Sequence, residues 1–496
     1  MKKHLFSAAA FLLSSTAAMA ELTPQDVLES WRNYYATYGA IITTGPPVQT
    51  GSTTRFPDLV GEMNLAGNTT RYELGYIDMQ SNADGSVDIT FSPAASARIN
   101  IAINDEHVAG NASYDLGSLA VHVEGTPEDM VFSYTAPIIT VYQSQAQPEL
   151  DLAITMAFEN LEGRTHARRS EDGLITQTGE TRAGAASWQL TAKPTGKPPV
   201  YIDYQGENIR MTYDISAERA AMPSPAPATM FPDGMVMGMT LTTGPSTTTV
   251  DQQSPAGTSR FTLTQTRSEM TGAFAESAFS FGLTAMGADI ALASTPARAV
   301  DFSAAFERFH LGATYPMRAA DTPVPFALAF AISNLTVGDE AWNKIDPEAT
   351  LSRAPASFDL TLNGTVMLLA DLLDQDAMTA LRGSPLELRS LSLSTLSLDF
   401  EGMGLTGDGD ILFHSPPTGA SPNRPEPTGT LNFTLNGALS LLDKIGRLGL
   451  GDPMMVIGAK GALGMFATPG DAPDSFTSRV EFIEGGHISV NGQQVK

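Results

Sequence analysis

The chain has 496 residues, with 54 acidic against 29 basic groups, 44 glycines, 32 prolines and no cysteine. Setting aside the first twenty residues, which hold Lys2 and Lys3 and no acid, leaves 27 basic groups against the same 54 acids, a formal charge of −27. Such acidity argues against nucleic acid and against electrostatic docking on anionic lipid heads, and the missing cysteines exclude disulfides, thiolate zinc, iron–sulfur clusters and thiol nucleophiles. A hydrophobic share of 42% is enough for a core.

Met1-Lys2-Lys3-His4 is basic, Leu5 to Leu13 is small and apolar, and Ala18-Met19-Ala20 offers an A-x-A exit. This order is that of a secretory signal peptide over residues 1–20, cleaved after Ala20. Ser14 and Ser15 interrupt the apolar run well short of the roughly 18 residues that a spanning helix needs. No later segment is long and apolar enough to span, so no transmembrane anchor is expected after cleavage. The expected location is a bacterial periplasm.

A helix is predicted over 23–38. Thr23 can cap it, Pro24 suits its first position, Asp26 favours the positive end, and Val27, Leu28, Trp31, Tyr34, Tyr35 and Tyr38 follow at helical spacing before Gly39. Its aromatic stripe is expected to dock on a sheet. Period two then takes over. Val87/Ile89/Phe91, Ile99/Ile101/Ile103, Leu119/Val121/Val123 and Leu150 to Phe158 alternate with polar or small residues, as do Met235 to Leu241 and Phe326 to Ile332. Alternation sustained over this length predicts a mainly β fold: large curved antiparallel sheets with one wet and one dry face, and a few docked helices. Between Leu386 and Phe400 the pattern slips twice, from Leu388 to Leu391 and from Leu393 to Leu396, which predicts two bulges.

Pro223, Pro225, Pro227 and Pro232 crowd a stretch that cannot sit inside a sheet. It is expected to be a hinge (223–232) between an N-terminal β-rich half (21–222) and a C-terminal β-rich half (233–496). Pro416 to Pro427 marks a long loop, and Lys193 to Val200 a shorter connection. Leu360-Thr361-Leu362-Asn363-Gly364 and Phe433-Thr434-Leu435-Asn436-Gly437 echo one another, each followed by helically spaced apolar residues. Both are expected to be strand, glycine turn and helix, with helices over 366–380 and 438–448.

Trp342-Asn343-Lys344-Ile345-Asp346-Pro347, Arg353-Ala354-Pro355-Ala356, Leu442-Asp443-Lys444-Ile445, Ile457-Gly458-Ala459-Lys460 and Gly464-Met465-Phe466-Ala467 run toward the end of the chain. They are joined by Asp474-Ser475-Phe476-Thr477-Ser478, Gly485-Gly486-His487-Ile488 and Asn491-Gly492-Gln493. With these the chain resembles DUF2125, a family of secreted or membrane-anchored alphaproteobacterial proteins. The likeness covers most of the mature chain and is strongest from about Asp339 onward. These are packing and turn motifs, so the resemblance implies a location and no catalytic residue.

Residues that could carry chemistry are sparse. Gly402-Met403-Gly404-Leu405-Thr406-Gly407 fits a dinucleotide fingerprint, but the sequence after it looks like a strand where a helix is required. Asn82-Ala83-Asp84-Gly85-Ser86 opens like a calcium loop, yet Pro93 stands where a bidentate glutamate is needed; a hairpin turn is expected. Asp408 and Asp410 are expected in a solvated turn. The six histidines beyond His4 never fall three to five residues apart, and no G-x-S-x-G elbow occurs. No catalytic residue, metal ligand or cofactor is therefore expected.

The expected function is non-enzymatic: binding of a lipid or another hydrophobic ligand on the dry face. Met235, Met237 and Met239 offer adaptable thioethers there, with Phe281 and Phe302 adding bulk. Arg164, Arg168 and Arg169 form the dense basic cluster of an acidic chain and are the candidate headgroup contact, with local charge pairing to flanking acids as the plainer reading. Helices near Leu368 and Leu441 are expected as plugs or lids. The alternative is an envelope protein–protein interaction or scaffold module with a packed interior. A hydrolase with a dispersed site ranks third.

Overall fold

Two-residue alternation persists along most of the chain, and the chain answers it with strands: 68% is strand and 12% helix. The computed structural model describes residues 21–495 apart from 37–38, 66–67, 104–105, 148–149, 219–233, 255–256, 276–277, 297–300, 373, 382–383, 415–424 and 451.

Helix α1 (Pro24–Ala36) opens the fold. Strands β1 (Ala40–Thr43) and β2 (Val48–Thr50) pair with β3 (Thr53–Leu65), which pairs with β4 (Asn68–Ser81). There the ladder forks. One arm runs through β5 (Val87–Phe91) and β8 (Ala120–Thr126), the other through β6 (Ala94–Ile103) and β7 (Glu106–Asp115), and both rejoin at β9 (Asp129–Gln147). A meander follows through β10 (Leu150–Arg169), β11 (Leu174–Pro194) and β12 (Val200–Glu218). The short β13 (Val236–Thr243) and β14 (Ser246–Ser254) share one lane between β12 and β15 (Gly257–Ala275).

The meander continues through β16 (Ala278–Pro296), β17 (Phe302–Pro316) and β18 (Val324–Val337). Helix α2 (Asp339–Ile345) leads to β19 (Ala356–Leu368), and α3 (Gln375–Ala380) to β20 (Leu386–Phe400). Then come β21 (Met403–His414), β22 (Glu426–Asn436), α4 (Ala438–Leu448), α5 (Pro453–Phe466) and β23 (Thr468–Pro469). The last strands are β24 (Ser475–Ile483), β25 (His487–Val490) and β26 (Gln493–Gln494). Every ladder is antiparallel, and among the described residues none joins the first strands to the last, so the sheet is open. The chain exposes 29230 Å², where a compact chain of this size would expose about 18,000 Å².

The mainly β expectation therefore holds, as one sheet. The hinge residues 223–232 lie outside the described residues, but β12 pairs with both β13 and β14, so the ladder runs on from one half to the other. The expected helix at 23–38 is α1 (Pro24–Ala36), residues 37–38 lying outside the described residues, and that at 438–448 is α4. The helix expected over 366–380 does not form: Val366 and Leu368 pair with Leu388 and Leu386 as the end of β19, leaving only the short α3. A strand partner overrode a helical spacing that Val366/Leu368 satisfied equally well at period two. The two expected bulges of β20 are present. Its register shifts against β19 on either side of Arg389 and of Ser394, where the alternation slipped.

A second irregularity runs across the sheet. Asn160 in β10, Asn208 in β12, Gly287 in β16 and Asn334 in β18 all have φ between 51° and 54°. They stand beside Gly184 of β11, the Gly244-Pro245 break between β13 and β14, Thr266 of β15 and Glu307 of β17, where the neighbouring ladders skip a pair. Asn tolerates this left-handed conformation because its amide can bond locally; the Nδ2 of Asn334 donates to Glu307 Oε2 at 2.5 Å. A paired row of such residues bends every long strand at one level, and apolar parity switches there. In β10, Leu152, Ile154, Met156 and Phe158 give way to Leu161, Gly163, Thr165 and Ala167.

The main core lies at the N-terminal end. Leu22, Val27 and Leu28 are at most 3% exposed against Phe56, Ile77, Met79, Ile89, Val123 and Met130. Trp31 stacks 6.4 Å from Phe91 and 6.5 Å from Phe132, so the stripe docks on the sheet through Trp31, while Tyr35 is 46% exposed and Tyr38 lies outside the described residues. Each such side chain contributes about 1.5–3 kcal/mol.

Candidate functional site: an uncovered apolar face

Residues directly opposite on neighbouring strands share a face, so the registers trace what each face carries. One row reads Met211–Leu241–Met270–Leu283–Leu311–Phe330–Leu360–Leu396, from β12 to β20. Another reads Phe309–Ile332–Phe358–Leu398–Leu405–Leu435–Phe476, from β17 to β24. The row between them is Thr284–His310–Ala331–Asp359–Ser397–Thr406–Thr434–Thr477 and belongs to the opposite face. Hence one face is apolar across the whole C-terminal part of the sheet and the other polar.

Beyond the bend the apolar face continues as Ile202–Val250–Phe261–Leu292–Phe302. Ring contacts bridge the bend: Phe306 lies 6.2 Å from Phe309, which meets Phe330 edge-on at 5.7 Å, and Phe330 lies 5.8 Å from Phe358.

Helix α1 covers this face at the N-terminal end and α4 with α5 at the other. Between them it is open around the middle of the first row, although Phe274 on the same face is covered in a cluster with Met235 and Met317. Leu311 is 40% exposed, Leu328 47%, Phe330 36% and Tyr315 39%. Eight strands at about 4.8 Å spacing make the first row about 34 Å long, and large exposed apolar patches on a folded chain are commonly interaction surfaces.

The expected ligand-binding residues separate. Met237 and Met239 share this face, Met237 packed against the buried cluster of Phe274 and Met317, and Met239 and Phe281 flank Gly272 from its two sides. A side chain at Gly272 would meet nothing within 4 Å, so a gap stands between them. Met235 is instead 4% exposed, packed with Ala217, Phe274 and Met317, and is a core residue. Phe302 is on the same face but beyond the bend, about 36 Å of strand from the level of Phe281. The expected lid at Leu368 is absent, since Leu368 is a buried strand residue. Leu441 sits in α4, buried against the sheet end.

The basic cluster is charge-paired. Arg164 reaches Glu124 at 3.2 Å, Arg168 reaches Asp129 at 2.9 Å and Arg169 reaches Glu128 at 3.7 Å. His166 meets the same Asp129 at 2.5 Å, and its hydrogen bond, with that of Arg168, holds the Asp129 carboxyl below its ordinary pKa. Each pair engages one guanidinium nitrogen, and the Arg164 and Arg168 side chains stay 66% and 63% exposed.

Gly402 lies in the turn before β21, and Asn82–Ser86 is a hairpin turn in which Asp84 accepts from the amide and hydroxyl of Ser86. Asp408 and Asp410 are exposed on the polar face of β21, in a strand rather than a turn. Among the described residues no group of three or more His, Asp or Glu could hold a metal ion. His122 pairs with Asp88 at 2.7 Å, His310 with Thr284 at 3.0 Å and His414 with Thr428 at 2.8 Å, each at a separate place. What the arrangement offers is an extended apolar surface, still exposed at Leu311, Leu328 and Phe330.

Most of the face was missed in the sequence because its residues were read strand by strand. The signal lay in the repeated Glu159-Asn160-Leu161, Glu207-Asn208-Ile209 and Ser333-Asn334-Leu335, which mark one level on three strands. No protein-family model, no curated protein and no solved structure matches this chain, and the resemblance to DUF2125 rests on the residues quoted for it.

Proposed function

We propose that the protein is a non-enzymatic lipid-binding protein of the periplasm, which holds acyl chains along the uncovered apolar face between α1 and α4. The observation that carries this reading is the row from Met211 to Leu396, apolar on every strand, with Leu311 and Phe330 at its centre still exposed. Every methylene taken from water onto that face is worth about 0.8 kcal/mol. About fifteen of them give roughly 12 kcal/mol, which after about 4 kcal/mol of association cost leaves the scale of micromolar binding. A row of about 34 Å is longer than one extended acyl chain.

The second reading, an envelope protein seated on the same face, draws on the same exposure. Native mass measurement on protein purified gently from the periplasm separates the two. Bound phospholipid mass supports the proposal, and a stoichiometric protein partner with no lipid overturns it.

A further inference from the structure

Helix α5 is the apolar element that the fold leaves outside. It is a well-specified helix: Asp452 caps it by accepting from the Met454 amide at 2.8 Å, and Pro453 occupies its first turn. None of its residues is buried. Met454 and Met455 are 71% exposed, Met465 70% and Ile457 63%. Its one charge, Lys460, turns back to donate to Asp443 of α4 at 2.5 Å. The outward side, from Met454 to Met465, therefore carries no charge, in a chain whose net charge is −25.

The surroundings favour a bilayer over other occupants. Residues 438–466 hold Lys444, Arg447 and Lys460 against only Asp443 and Asp452, so the strong acidity of the chain is lifted over this stretch. The inner side of α5 rests over a cavity lined by Leu405, Phe433, Leu435, Leu442, Leu463 and Phe466. Leu405 and Leu435 belong to the sheet's open apolar face, which thus runs without a polar break up to the helix. Fourteen residues make a helix about 21 Å long, short of the roughly 30 Å hydrocarbon core, so it lies in the membrane plane rather than across it.

We infer that α5 is a membrane-docking helix that inserts Met454, Met455, Ile457 and Met465 into the interfacial layer of a lipid bilayer. The inference stands on the helix's own exposure and not on lipid binding by the sheet, although it brings the end of that face to a lipid source.

Vesicle flotation of the mature protein tests it, with phosphatidylcholine vesicles and with mixed phosphatidylcholine/phosphatidylglycerol vesicles. The protein floats with both and stays bound at high salt, because the insertion is apolar. The double variant Met455→Asp with Ile457→Asp changes only exposed positions, keeps its circular dichroism, and loses at least tenfold in partitioning. It still binds a soluble apolar probe, whereas Phe330→Asp weakens probe binding and floats normally, so the two proposals fail separately. The inference is overturned if the native protein floats with neither vesicle, if salt strips it off, or if the double variant floats equally well. It also falls if that variant converts a dimer to a monomer in sedimentation without vesicles, since α5 would then be a self-association surface.

Discussion

Truncating leucines at two places in the sheet measures how much of its apolar face is covered. Leu→Ala removes three carbons, worth about 2.4 kcal/mol at full burial, and a closed core adds a cavity term that brings the cost to about 2.7–5 kcal/mol. Leu28, 1% exposed beneath the α1–sheet contact, should pay that whole cost. Leu311 and Leu328 are 40% and 47% exposed, so about half of the transfer term remains and no closed cavity is left, giving about 1.3 kcal/mol each. Urea denaturation of the delipidated protein, compared through midpoints at constant slope, reads the difference. Adding phospholipid to 100 times its dissociation constant should raise stability by about 2.7 kcal/mol and widen the Leu311→Ala deficit. A cost of 3 kcal/mol or more (roughly, on the same scale) for Leu328→Ala in lipid-free protein would refute the open face.

Four further outcomes follow from particular residues. Gly287→Ala should destabilise by about 1–2 kcal/mol, because φ is +54° and the new methyl would meet Thr266 Oγ1 at 2.7 Å, while Gly272→Ala on the open face should be near neutral in the same melts. Asp474→Ala should cost about 1 kcal/mol by releasing the Leu439 and Ser440 amides that open α4, read as earlier loss of helix signal on heating. Hydrogen bonds from Arg210, with the charge of Arg182, lower the Glu180 carboxyl from 4.5 to about 2. A depressed carboxylate stabilises the fold fully above its ordinary value and loses that contribution as pH falls from 4.5 toward 2, so Glu180→Gln should flatten the urea midpoint over that window, the more so at low salt because the pair is exposed. N-terminal sequencing of the exported protein should begin at Glu21.

The strands were legible because one dry face imposes period two on every one of them, and even the double slip of β20 declared its bulges in advance. Local patterns failed where a partner decided. Val366–Leu368 fits a helix or a strand, and only the pairing with β20 settles it. Helix α5 has neither period, being apolar apart from Lys460 with glycines at 458, 461 and 464, so nothing in its spacing announced it. The candidate residues show the same division. Met237, Met239 and Phe281 share one face, as their alternation within single strands implies. The buried place of Met235 depends on Met317 and Ala217, far off in the chain, and the separation of Phe302 depends on the bend. The bend itself comes from asparagines that look like ordinary polar strand residues until they are aligned across strands.

The most direct test of lipid binding is titration of the mature, delipidated protein with an apolar fluorescent probe, followed by displacement with phospholipid, for the native chain and for Phe330→Asp. Saturable binding at micromolar probe, full displacement by phospholipid and at least tenfold weakening by Phe330→Asp are the expected results. No saturable binding by the folded native protein, or binding that Phe330→Asp leaves unchanged, would contradict the proposal that the open apolar face is the lipid site.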